Sequence, residues 1–197
     1  TDAWFWALAF PTFAVVLAGS AVATTVTPAL ARVKQECPAD VPKMLGGLLV
    51  WSGGMALALG LCFCLSGPWV LEQFTDFDKE TQYLAAMFLW ELLPFMMITC
   101  IGAVLRAGCE VQGLFKRVAI TPLIRATFVI ATTWLLLKPA GPHALPIGLI
   151  VGEIIQALWW GTWLVMSGID IEFTTKLNAS VRQVGRDFAM ILAGEVL

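Results

Sequence analysis

Five stretches of the chain are apolar almost without interruption: Trp4–Ala31, Met44–Leu71, Tyr83–Leu105, Val118–Leu137 and Leu145–Val165. A bilayer core takes about 17–25 helical residues to cross, and each stretch is long enough. A sixth run begins near Phe188. None alternates apolar and polar residues with the two-residue period of a lipid-facing barrel strand. The pattern predicts an all-α, polytopic membrane bundle with five complete transmembrane helices and part of a sixth. Residues 1–197 then form one transmembrane domain. Thr1 leads straight into one apolar run and Leu197 falls inside another, with no basic leader or cleavage site ahead of the first. The expectation is an internal piece of a longer, transporter-sized chain, truncated at both ends.

Charge sorts the connecting loops. Arg32, Lys34 and Lys43 fall in the first, Arg106, Lys116 and Arg117 in the third, and Lys176, Arg182 and Arg186 in the fifth. The second loop is acidic (Glu72, Asp76, Asp78, Glu80), with Lys79 as its only base, and the fourth holds Lys138 and His143. Basic residues concentrate in cytoplasmic loops, so the first, third and fifth loops face inward. Tryptophan agrees: Trp4, Trp6, Trp69 and Trp134 fall near the outer boundary and Trp159, Trp160 and Trp163 near the inner one. The first helix runs from outside to inside, so an odd number of helices is expected ahead of it if the intact amino terminus is cytoplasmic.

Composition narrows the function. The chain is 59% hydrophobic and 13% charged, with a mean hydropathy of +0.82, whereas soluble domains run at about 45–50% and about 25%. A disordered chain, a nucleic-acid binder and an ordinary globular enzyme are excluded. The formal charge of −2 gives no basis for a polyanionic partner. There is no phosphate-cradling glycine loop, no histidine cluster and no nucleophile beside a base, so no catalytic residue, metal or cofactor is expected. Cys37, Cys62, Cys64, Cys100 and Cys109 lack metal-binding spacing and read as packing residues, with Cys62 and Cys64 on different sides of their helix.

Polar and helix-breaking residues inside the apolar runs carry the remaining information. Gly46, Gly53, Gly60 and Gly67 recur every seven residues, a stripe that admits a neighbouring backbone or serves as a sliding surface. Ala14, Ala18, Ala21 and Thr25 form a comparable stripe. Pro11 and Pro94 lie deep enough to bend their helices around a central cavity, whereas Pro28 and Pro122 lie where they could simply mark helix ends. A charge at the bilayer centre costs about 2.5–3.5 kcal/mol on insertion scales, so ionisable groups at depth face a bundle interior or a water path. Glu91 and Glu153 are candidate proton or cation sites, or else hydrogen-bonded structural carboxyls. Glu91 and Pro94 are three apart and predicted on one face, and Gln156 extends the strip of Glu153. Arg125 either meets an anionic headgroup or snorkels toward the cytoplasm. His143, in a Pro/Gly loop, is expected to be solvated. The Asn178-Ala179-Ser180 sequon falls in a cytoplasmic loop and is not expected to be used. Val181, Val184 and Phe188 share a helical face that would lie along the inner membrane surface.

Several stretches together resemble the MurJ (MviN) family of lipid II flippases, of the multidrug/oligosaccharidyl-lipid/polysaccharide exporter superfamily. Thr1-Asp2-Ala3-Trp4-Phe5, Phe10-Pro11 and Pro28-Ala29-Leu30-Ala31-Arg32 resemble that family's second helix. Gly67-Pro68-Trp69-Val70 fits the end of the next, and Leu92-Leu93-Pro94, Gly102, Gly113-Leu114-Phe115 and Pro122 resemble the fourth helix, its loop and the start of the fifth.

The resemblance implies helices two to six and the start of seven of a fourteen-helix, two-lobed transporter. Its cargo would be a lipid-linked peptidoglycan precursor or related polyprenyl-pyrophosphate glycan, crossing the bacterial plasma membrane by alternating access. The partners are then that lipid-linked oligosaccharide, the bilayer and the rest of the same chain. Asp2 matches an aspartate that matters for activity in the family, suited to a cavity arginine or a coupling ion near the outer gate. The family follows its proline with Asn-Leu-Leu-Arg-Arg; here Pro11 is followed by Thr12-Phe13-Ala14-Val15-Val16, with no positive charge. A cation- or proton-coupled small-molecule antiporter on the same scaffold is the alternative, and a degenerate, non-transporting membrane scaffold a third.

Overall fold

In a computed structural model the chain is described over residues 2–173, apart from the side chains of Asp2, Phe10, Ala14, Leu17, Ala18, Ser20 and Ala21. The fifth basic loop beyond Phe173, the sequon, the surface-lying face and the sixth apolar run lie outside the described residues, as do the side chains of most of the alanine stripe. Thr25, its last member, is buried.

All five predicted helices form, and no strand occurs among the described residues. The first comprises α1 (Asp2–Ala21), a π-helical turn (Val22–Val26) and α2 (Thr27–Glu36). The others are α3 (Val41–Phe74), α4 (Lys79–Val111), α5 (Phe115–Ala140) and α6 (Ala144–Met166). At 1.5 Å per residue, α3 and α4 are about 50 Å long and overrun a core of about 30 Å at both ends. The helices extend past the apolar runs because polar flanks continue the same backbone ladder in the headgroup region.

Proline behaves differently from expectation at three points. Pro28 does not end its helix: the π turn just before it widens the backbone where the ring would otherwise strike the carbonyl four residues back. Pro122 likewise sits inside α5. Pro94 lies within a continuous α4 and is exposed, whereas Glu91 is half-buried. Pro11 is fully buried within α1.

Helix α4 is the centre of the bundle, packed against α1, α3 and α6, while α5 leans mainly on α6. The glycine stripe of α3 explains one of these faces. A Cβ on Gly53, Gly60 or Gly67 would meet Ile101, Leu93 or Leu89 of α4 at 3.3, 3.4 and 2.5 Å. Three apolar clusters hold the described bundle, one around Leu30, Leu45, Leu48, Val104 and Leu164, a second around Phe88, Leu92, Phe95 and Met96, and a small third of Ala3, Leu71 and Ala85. Contacts sort into two ends as the alternating topology requires. Lys34 Nζ donates to the Val111 carbonyl at 2.8 Å, and Trp159 Nε1 to that of Arg117 at 3.2 Å. Trp4 meets Phe88 at the opposite end, ring centroids 5.5 Å apart. Trp69 and Trp134 are exposed on the bundle surface, and Trp160 is buried in the core.

Candidate functional site

The α5–α6 hairpin is drawn tight by glycine. A Cβ on Gly148 would lie 2.2 Å from Thr133 Oγ1, and one on Gly152 would lie 2.4 Å from Val129 Cγ2 and 3.3 Å from the Arg125 carbonyl oxygen. These two glycines, four apart, let the α6 backbone sit directly on α5. Glu153 follows Gly152, so the same close approach delivers its carboxylate to Arg125. Arg125 Nε lies 2.6 Å from Glu153 Oε1, with the Glu153 side chain 6% exposed and that of Arg125 35% exposed. Arg125 therefore does not snorkel to the cytoplasm; it is turned across the hairpin. Counting along α5 and α6, both residues lie about 15 Å from the nearer helix end, close to mid-membrane.

This pair borders a cavity of about 250 Å³ between α1, α4, α5 and α6. Val15 and Gly19 contribute from α1, Thr99, Cys100 and Arg106 from α4, and Gln156 and Trp160 from α6. The strip of Glu153 and Gln156 expected from their spacing is present, with both residues buried. Trp160 Nε1 is buried and donates to no protein acceptor. Arg106, counted with the third loop from sequence, belongs to α4, pairs with Glu110 at 2.8 Å and still borders the cavity. Its signal was available in helical periodicity: Glu91, Phe95, Thr99, Ala103 and Arg106 step along one side of α4.

Glu91 stands apart from this cavity, nearer the other end of the bundle. Its Oε1 lies 2.7 Å from His143 Nδ1. His143 is thus not a solvated loop residue; it is turned inward from the tight connection Gly141–His143, against Glu91 and the Phe88 ring. Asp2 is the first residue of α1. Of the four sequence-predicted polar site residues, the fold brings Arg125 and Glu153 together and leaves Glu91 with a partner not foreseen. A larger groove, about 750 Å³, opens between α3, α4 and α6, but Leu49, Leu105, Leu158, Val165 and Phe173 make it apolar, unsuited to a polar headgroup. No group of three potential metal ligands occurs among the described residues.

The arrangement is a small cavity bearing polar side chains inside an apolar bundle, with arginines at two depths, Arg125 paired with Glu153 and Arg106 with Glu110. Such groups are retained in membranes where they face water, a substrate or one another. The family model described as "Lipid II flippase MurJ" matches residues 1–195. A search of curated proteins gives no match.

Proposed function

The chain belongs to the lipid II flippase MurJ family, and on that premise we propose that it forms part of the wall of a transporter moving a lipid-linked peptidoglycan precursor across the bacterial plasma membrane. The observation that carries the reading is the chamber between α1, α4, α5 and α6, with Arg125 and Glu153 paired across it at mid-membrane. A diphosphate headgroup needs donors and positive charge along its way through oil. Here Arg125, Arg106, Gln156 and the buried Trp160 N–H supply them, while α1 carries no arginine after Pro11. In this role Arg125 exchanges Glu153 for a phosphate oxygen, since a guanidinium fork suits either anion. Glu153 holds the arginine in place between passages and neutralises it. Asp2 and Glu91 serve nearer the outer side, Asp2 as a charge at the mouth and Glu91 as a carboxylate for a cation.

Depletion of the full-length protein tests the reading. The precursor is expected to accumulate on the inner leaflet, out of reach of an impermeant reagent added outside. An unchanged distribution between leaflets would rule the flippase reading out.

A further inference from the structure

We propose that Glu91 and His143 form a proton-controlled latch that ties the α5–α6 turn to α4 on the outer side of the chamber. Histidine 143 sits in the connection itself, where Gly141 at φ 55° turns the chain in a conformation that L side chains rarely adopt. The contact therefore joins the end of the hairpin to the central helix. With Glu91 as a carboxylate, which only accepts, the 2.7 Å contact calls for a hydrogen on His143 Nδ1. The approach is off the line of a proper hydrogen bond, because His143 Nδ1 has no geometrically satisfactory acceptor. A misaligned hydrogen bond to a neutral ring holds little. The attraction between an imidazolium and a carboxylate is far less dependent on angle, so the charge on His143 is what holds the turn.

Histidine is the side chain whose charge normally changes between about pH 5 and about pH 8. The other charged groups on the elements around the turn are paired or exposed. Glu153 of α6 is paired with Arg125 of α5, and Lys138 of α5, Glu72 of α3 and Lys79 of α4 are exposed. Asp2 lies at the start of α1, and among the described residues no further ion pair reaches Glu91 or His143. Protonated His143 holds the α5–α6 turn against α4; loss of its proton frees the turn. The latch is a property of the bundle and does not depend on which cargo crosses.

Pulsed electron-spin distances in the full-length, otherwise cysteine-free protein read the latch directly, with labels at Tyr83→Cys on α4 and Leu137→Cys on α5, both exposed. A short, narrow distance is expected at about pH 5.5 and a longer, broader one at about pH 8. His143→Gln and Glu91→Gln should each give the longer distribution at both values. His143→Lys, charged throughout, should keep the short one. A wild-type distance that ignores pH, or a pH response that survives in His143→Gln, overturns the proposal.

Discussion

Replacing Arg125 by leucine leaves the Glu153 carboxylate, 6% exposed, without its counter-charge inside the bundle. Unit charges about 4 Å apart attract by about 4 kcal/mol at an effective dielectric near 20. Desolvating both ions costs a similar amount, so the intact pair adds little net stability. Removing one partner is another matter, because the buried survivor keeps its desolvation penalty, about 3–5 kcal/mol in comparable pairs. The two single substitutions should differ. Arg125→Leu strands the buried carboxylate and should destabilise by about 3 kcal/mol. Glu153→Leu strands an arginine that is already one-third exposed and flexible enough to reach the interface, and should cost about 1 kcal/mol. The double leucine variant should return to within about 1 kcal/mol of the wild type. Equilibrium unfolding in detergent measures all four corners of the cycle. Transport should not recover with stability, since the double variant has lost the guanidinium that meets the headgroup. A double variant no more stable than Arg125→Leu would refute the electrostatic reasoning, and a double variant that transports normally would refute the role given to the pair.

Three further outcomes follow from the packing. Gly152→Leu should cost about 1–3 kcal/mol by forcing α6 off α5; Gly161→Leu on the same helix, where a Cβ meets nothing within 4 Å, should be close to neutral in the same unfolding assay. Gly46→Ala places a methyl 2.1 Å from the Glu172 carbonyl oxygen, so hydrogen exchange should rise in the segment 169–173 while α3 itself stays protected. Arg117→Leu removes a guanidinium stacked 3.9 Å from the Trp163 ring centroid, and should lower stability by about 0.5–1 kcal/mol with a change in tryptophan emission.

What could be read from the sequence was whatever hydrophobicity and charge encode one helix at a time. Apolar runs locate the five helices, and the bias of arginine and lysine orders their ends. Helix limits were less legible: α3 begins at Val41 and ends at Phe74, beyond Met44–Leu71, because hydropathy falls off before backbone hydrogen bonding does. The site was legible only in parts. Glu153 and Arg125 stand out as charges at depth, but nothing within α5 alone distinguishes an arginine that snorkels from one that crosses to α6. The feature that decides it, the pair Gly148 and Gly152, is a single four-residue spacing, far less conspicuous in the chain than the sevenfold stripe of α3. His143 looks like a loop residue because its neighbours are Gly and Pro; only the packing of the turn against α4 turns it inward. Pro94 lies inside a transmembrane run, but the sequence does not encode that it is exposed on α4.

The central claim is that the space between α1, α4, α5 and α6 is wetted and visited by the headgroup. Cys100 lines it, Cys62 is exposed on the outside of the bundle, and Cys64 and Cys109 are buried. Labelling of single-cysteine forms of the full-length protein in membranes with a charged, impermeant thiol reagent tests the claim most directly. Cys100 should react ahead of the buried Cys64 and Cys109, and a polyprenyl diphosphate glycan should protect it. Reaction at Cys100 no faster than at Cys64 and Cys109 would mean that water does not enter, and would contradict the account.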